Sequence, residues 1–403
     1  MPMFSIQKKG LLAALAVLSL VGTSGVVSAQ EDLDSSVLTK LGSALTFYGF
    51  LRIDAVYESD PLNDTQVPAF AISDDVVNSG GSDFTLYTRL TRFGLDFDGG
   101  DVLDGGDLTG KLELDFYGFD SSDSRNELRI RHAYLQIEKD DWSLLAGQTW
   151  DLFSPLYPSV NADTLNWNMG NPGDRRPQVR FGFTPDMGEE GELKLFGAIA
   201  LQGAIDSQEI DGTADGVLDG EASGIPQFQA RAAYAGRLFG SQESEIGIWG
   251  VLGFEESDVP VGGEDEWTSS AFGIDFAIPI TEEWKVKGEV WMGENMDDLR
   301  GGIGQGINAT TGDEIGADGF WVELNYAYSR TTHLFAGVSV DDPDDHDLPT
   351  LGRDRNKAIY IGAHYSVWNP IRLGWEFTHL NTEYLGQADG DASRARVWIA
   401  YHF

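Results

Sequence analysis

The sequence predicts an all-β fold: a 16-stranded antiparallel transmembrane β-barrel. Three observations carry this. Apolar and polar residues alternate with period two along most of the chain, the signature of strands with two unlike faces. The gaps between such segments fall into a short class and a long class that take turns along the chain, as a membrane barrel with turns on one rim and loops on the other requires. Beyond residue 29 no apolar run approaches the ~20 residues a membrane helix needs, while 49 glycines and 11% aromatic residues make a turn-rich, strand-rich composition.

Taken in order, Lys8 and Lys9 precede the apolar run "LLAALAVLSLV", and "VSA" ends at Ala29. This is the pattern of a secretory signal peptide over residues 1–29. Residues 30–42 read as a short periplasmic lead, and residues 43–403 as the barrel. Alternating segments then fall at 44–57, 84–97, 108–119, 126–138, 141–152, 177–185, 192–205, 225–238, 243–254, 267–279, 283–295, 318–328, 331–340, 355–367, 370–383 and 392–403. In "KLELDFYG" Leu112, Leu114 and Phe116 alternate with Lys111, Glu113, Asp115 and Tyr117. In "EWKVKGEVWM" Trp284, Val286, Val290 and Met292 alternate with Lys285, Lys287 and Glu289, and "QVRFGF" and "IRLGWEFT" repeat the scheme. The even-to-odd gaps, such as 139–140, 280–282 and 368–369, are short, with "DGGDVLDGGD" somewhat longer. The odd-to-even gaps at 58–83, 153–176, 206–224, 255–266, 296–317, 341–354 and 384–391 are mostly long, polar and acidic, and only 120–125 is short.

The physics of a barrel in lipid accounts for the pattern. Backbone groups in hydrocarbon must be bonded internally, so the sheet has to close. Sixteen strands enclose a lumen too wide for side chains to fill, so the inner face is wet and polar and the outer face apolar. Tyr57, Trp142, Trp284, Tyr328, Trp368, Trp375 and Phe403 lie near predicted strand ends, where an interfacial girdle would place them. The apolar parity switches between Leu90 and Phe93 and again near His132, which suggests bulges. With "SLLAGQTW", which barely alternates, these switches suggest that strands two to five pack against a neighbouring subunit. The closing segment, "RARVWIAYHF", should pair with the first and abolish the free edge. Arg394 and Arg396 would then face inward and Phe403 would sit at the periplasmic rim.

The whole chain carries 27 Lys and Arg against 65 Asp and Glu. Removing the signal takes away two lysines and no acid, leaving 25 against 65 and a formal charge of −40. Such a field argues against a nucleic-acid partner. There is no cysteine, hence no disulfide and no thiolate metal site. Neither G-x-S-x-G nor H-E-x-x-H occurs. "GQGINA" at 304–309 lacks the strand–turn–helix setting of a dinucleotide site and reads as a loop, so no cofactor is expected and the chain does not read as an enzyme. An outer-membrane hydrolase built on His132 or His364 is the weaker alternative. Another is a non-transporting surface or adhesin-type barrel whose acidic loops bind calcium, with Asp211, Asp215 and Asp219 at four-residue intervals as ligands. Acidic loops could also bridge to the anionic headgroups of outer-membrane lipid and lipopolysaccharide.

The basic residues point elsewhere. Arg52, Arg89, Arg129, Arg131, Arg180, Arg231, Arg372, Arg394 and Arg396 fall on the polar parity of strands, and Arg175 and Arg176 close the gap 153–176. An outward arginine at mid-membrane would cost roughly 2–4 kcal/mol, so these side chains must face the lumen or a subunit interface. There they would attract small anions and fork onto carboxylates, or else pair with wall acids such as Glu113 and Asp115.

"LRIRHAYLQI" (128–137), "LLAGQTWDLFSP" (144–155) and "GDRRPQVRF" (173–181), together with the terminal "RVWIAYHF", resemble Gram-negative outer-membrane porins, and the first three in this order resemble the DcaP-like family. The resemblance implies a homotrimeric channel, passive diffusion of small anions such as dicarboxylates, and an inward third loop that narrows the pore. On this sequence the constriction loop would be 153–176, and Arg129, Arg131, Arg175, Arg176 and Arg180 would be the arginines of the narrowing, with Arg52 and Arg89 nearby on the wall. Two departures stand out: members of that family carry a longer, coiled-coil lead, and the loops here are very acidic, which opposes anion entry.

Overall fold

Each alternating segment pairs with the next, and the last pairs with the first. In the computed structural model the described residues are 44–403 without 66, 77–80, 119–124, 161–163, 186, 189–190, 206–218 and 241. The expected signal peptide, the lead, and Asp211 and Asp215 lie outside them, and Asp219 is described by its backbone alone. The barrel has sixteen staves. They are β1 (Leu45–Glu58), β2 (Asp83–Tyr87 continued by Arg92–Val102), β3 (Gly106–Gly118), β4 (Glu127–Lys139), β5 (Trp142–Trp150), β6 (Arg175–Phe183), β7 (Glu192–Ala200) and β8 (Gln227–Gly236). They continue with β9 (Ser244–Val261), β10 (Glu264–Pro279), β11 (Trp284–Glu294), β12 (Gly316–Ser329), β13 (Thr332–Pro343), β14 (Arg353–Trp368), β15 (Ile371–Tyr384) and β16 (Gly390–His402). One helical turn, α1 (Asp219–Ala222), precedes β8. All pairings are antiparallel, and β16 closes on β1 from Phe50 opposite His402 to Glu58 opposite Arg394. The short turns lie on the rim where β1 starts and β16 ends, which is therefore the periplasmic rim.

Both parity switches have a structural cause. Between Tyr87 and Arg92 the second stave breaks into a turn, Thr91 N donating to Thr88 O at 2.9 Å. Its two parts pair with different halves of β1, the first with Asp54–Glu58 and the second with Leu45–Phe50. In β4, His132 stands opposite Glu113 and Ile130 opposite Leu114, so Arg131 is the extra residue of a bulge. One sequence expectation is corrected. Residues 255–266 are not a loop: β9 and β10 run on as a hairpin to a turn at Gly262 and Gly263, both at positive φ. The tight Gly-Gly turn, which tolerates this backbone where other residues do not, is what lets the two strands stay paired so far out.

Alternation sorts the side chains as lipid requires. Phe47, Ile199, Met292 and Ile359 stand outward and exposed, while Asp54, Asp275, Glu289 and Glu323 on the opposite parity are buried inside. Tyr57, Trp284, Tyr328, Trp368, Trp375 and Phe403 are exposed near strand ends, and Trp142 is half-buried. Several inner residues are aromatic, and each lies over a glycine of the neighbouring stave. A Cβ on Gly273 would come within 2.2 Å of the Trp249 ring, on Gly319 within 2.5 Å of Trp291, on Gly337 within 2.4 Å of Tyr360, and on Gly374 within 2.2 Å of Trp398. The missing side chain is what lets the ring lie flat on the wall.

Gly273→Ala therefore forces the Trp249 ring off the wall and should destabilise the barrel by about 1–3 kcal/mol, the usual range for overpacking. Gly250→Ala, whose nearest neighbour is a carbonyl oxygen 3.6 Å away, should be neutral. The temperature at which the compact band converts to the unfolded one on SDS gels reads the difference.

Candidate functional site

Residues 151–174, between β5 and β6, form the loop from which the site is built. Its neck is tied at both ends: Asp151 N donates to Asp174 O at 2.8 Å, and Asp174 N to Asp151 Oδ2 at 3.0 Å. From there the loop reaches inner side chains on staves that are not its neighbours. Leu156 N donates to Glu289 Oε1 of β11 at 2.8 Å, and Ser154 Oγ donates to the same carboxylate. Ser159 gives both its N–H and its hydroxyl to Glu323 of β12, at 2.7 and 2.6 Å. Lys287 Nζ donates to Tyr157 O at 2.6 Å. On the return, Trp291 Nε1 donates to Gly170 O at 2.9 Å and Asn356 Nδ2 of β14 to Asn168 O at 2.7 Å. Gly170 sits so close to the wall that a Cβ would lie 2.4 Å from Val340 O and 2.5 Å from Phe320 O. The loop is thus held across the lumen by hydrogen bonds to carboxylates, a class of bond worth about 1.5–3 kcal/mol each.

A second loop, between β11 and β12, locks onto the first. Met296 and Leu299 join Phe153, Trp249 and Trp291 in an apolar cluster inside the barrel. Asp298 accepts from Arg176 at 2.7 Å, and Arg300 reaches Asp174 at 2.9 Å while its guanidinium lies 4.5 Å from the Trp167 ring centre. Burial works against the charge of Asp174, but Arg300 and Arg175 outweigh it and hold the carboxyl below its ordinary range.

The expected arginines divide into three groups, with Arg52 outside them. Arg129, Arg131 and Arg175 come together. Arg129 forks onto Asp115 at 3.0 and 2.7 Å, over the Tyr117 ring. Arg131 bridges Glu113 at 2.7 Å and Asp115 at 2.9 Å. Arg175 lies 4.3 Å from the Trp150 ring centre and 3.3 Å from Asp174, and its Nη1 has no hydrogen-bond partner among the described residues. The bulge matters here, because it leaves His132, next to Arg131, also on the inner side, bonded to Thr149 Oγ1 at 3.0 Å. Arg180, the second kind, enters no ion pair among the described residues: it donates to Gln178 Oε1 at 3.1 and 2.9 Å and to Trp150 O. Arg176 and Arg89 are the third kind and correct the expectation that they line a pore. Arg176 is fully buried between Asp151 and Asp298, at 2.8 and 2.7 Å, and joins the two loops. Arg89 is buried with its guanidinium 3.9 Å from the Tyr87 ring centre and 4.8 Å from that of Tyr117. Arg52 stands apart, forked onto Asp54 at 2.8 and 2.6 Å.

Sequence reasoning missed Arg300, because it lies in a loop with no strand parity to place it. It also missed Glu289 and Glu323 as anchors. Their inward parity was visible, but their partners lie more than a hundred residues away.

A closed barrel with an apolar exterior, a charged interior and a loop held across its lumen defines an integral outer-membrane channel of the porin class. The model of the DcaP outer membrane protein family matches residues 27–215, so that stretch of the chain is similar to DcaP-type outer-membrane proteins. The outer membrane channel DcaP of Acinetobacter baumannii superposes with a TM-score of 0.71 at 20% identity, over 89% of this chain and 97% of that one. An anion-selective porin from Comamonas acidovorans gives a TM-score of 0.56 at 13% identity, over 89% of this chain and 99% of that one. The trimer form of OmpT of Vibrio cholerae gives 0.54 at 15% identity, over 89% of this chain and 99% of that one. No curated protein matches.

Replacing Glu289 and Glu323 together by alanine removes four of the loop's bonds to the far wall. Single-channel conductance should rise as the loop swings aside. Unchanged conductance would mean that the remaining bonds, to Tyr157, Gly170 and Asn168, hold the loop by themselves.

Proposed function

We propose that the chain is a passive diffusion channel for small hydrophilic solutes that prefers anions, dicarboxylates among them. The observation that carries this is the incomplete neutralisation of the arginine cluster. Arg180, only half-buried, has no carboxylate, while Arg175 is buried beside Trp150. A solute carboxylate supplies the missing acceptors, and guanidinium is the group best shaped to fork onto it. Loop 151–174 sets the size limit and Arg180 makes the contact that sets the charge preference, with Arg129, Arg131 and Arg175 beside it paired to wall and loop acids. The anion-selective Comamonas porin of the same fold supports the reading. Residues 1–29 act as the secretory signal, and 30–42 as a periplasmic lead.

The same proposal includes a homotrimer. The outer face of β4 carries exposed Leu128, Ile130 and Leu135 beside stave β5, and the trimer form of OmpT shares the fold. Packing three such faces together would cover apolar surface on strands whose inner sides are charged.

In a planar bilayer under a KCl gradient the reversal potential should have the sign of anion preference. Arg180→Gln should move it toward zero. A cation-selective wild type would sink the anion claim and leave the channel intact. An SDS-resistant band near three times the monomer mass that collapses on boiling is the expected mark of the trimer.

A further inference from the structure

On the opposite wall, below the tip of the loop, two rows of inner residues run across neighbouring staves. In one row His333 of β13, His364 of β14, Gly374 of β15, Trp398 of β16 and Asp54 of β1 stand side by side. In the next row toward the periplasm stand Ser366 of β14, Arg372 of β15, Ala400 of β16 and Arg52 of β1. Gly374 is covered by the Trp398 ring, and beside the small Ala400 lies a hollow of about 460 Å³, within the size range of sites for small organic ligands.

The two arginines flank this hollow differently. With neighbouring staves ~4.8 Å apart, Arg52 and Arg372 are separated by the width of one alanine strand, roughly 10 Å between backbones. Arg52 is fixed: Asp54 takes both ends of its fork, and its guanidinium lies 4.3 Å from the Trp398 ring centre. Trp398 in turn is pinned between Gly374 and the His364 ring, whose centre is 5.3 Å away. Arg372 is exposed and, among the described residues, enters no ion pair. The carboxylate lining the hollow, Glu376, lies 3.2 Å from Arg396. The hollow therefore carries an uncompensated guanidinium against a rigid floor, with Ser366 and His333 as further polar groups.

We propose that this hollow is a second anion subsite, on the periplasmic side of the loop, for small organic carboxylates. The carboxylate forks onto Arg372, and the body of the ligand occupies the space over Ala400 between Arg372 and Arg52. It lies on different staves from the arginine cluster of β4 and β6, so an anion leaving that cluster meets a further binding position before the exit. Two positions of moderate strength pass a solute onward where one tight position would retain it.

The test is a calorimetric titration of the folded full chain in nanodiscs with succinate at low salt. Arg372→Gln should raise the dissociation constant about tenfold, as the loss of one charge-assisted fork does. Ala400→Glu, which sets a carboxylate between the two guanidinia, should abolish binding at this position. A normal heat-modifiable band establishes that each variant is folded. Wild-type affinity in both variants, or no succinate binding in the wild type, overturns the proposal. The reversal-potential measurement on Arg180→Gln reads the other cluster, so either proposal can fail alone.

Discussion

No backbone N–H or C=O can be left unpaired in hydrocarbon, and the rest of this molecule depends on that constraint. It forces sixteen staves to close from β1 to β16. Closure then fixes which way each side chain points, since a strand in a closed sheet has only an inside and an outside. Every charge on a stave must go inside, and the inside must accommodate them. That explains why the lumen is crowded with ion pairs such as Arg231 forked onto Asp275 at 3.0 and 2.6 Å and Arg394 with Glu58 at 2.9 Å. These pairs stabilise the wall only modestly, because pairing in the wet lumen offsets little more than its own desolvation. Their consequence is subtler: a guanidinium that is fully paired cannot also hold a solute.

The loops use the same chemistry to a different end. Inner carboxylates on β11 and β12 have no arginine stacked on them and accept the hydrogen bonds of loop 151–174. Arg176, which could have lined the lumen, is spent on joining that loop to the one between β11 and β12. The acidic character of the chain then needs no conflict with anion passage. Many of the acids lie in outer loops, and their field decays over about 8 Å at physiological ionic strength. The arginines beneath act at contact distance.

The fold was legible because its constraint is written locally. Period two, strand number, rim assignment and even the bulge at Arg131 follow from neighbours in the chain. The charged side chains were legible as inward for the same reason. Their partners were not. Arg129 and Asp115 lie on adjacent staves and form a pair that parity alone suggests. Arg176 and Asp298 are separated by 122 residues and two loops, so burial of Arg176 could not be read from "GDRRPQVR". Residues 255–266 misled for a different reason: their acidity reads as loop, while their backbone, ended by Gly262 and Gly263, continues the hairpin.

The rings laid over glycines have a consequence for motion. A tryptophan projecting into a lumen is an obstacle that a solute must go around, and its edge makes a trap. Laid flat over Gly374, the half-buried Trp398 ring becomes part of the wall. A solute passing that stretch would meet a wall and not a projecting edge, so the glycines as much as the arginines shape the lumen.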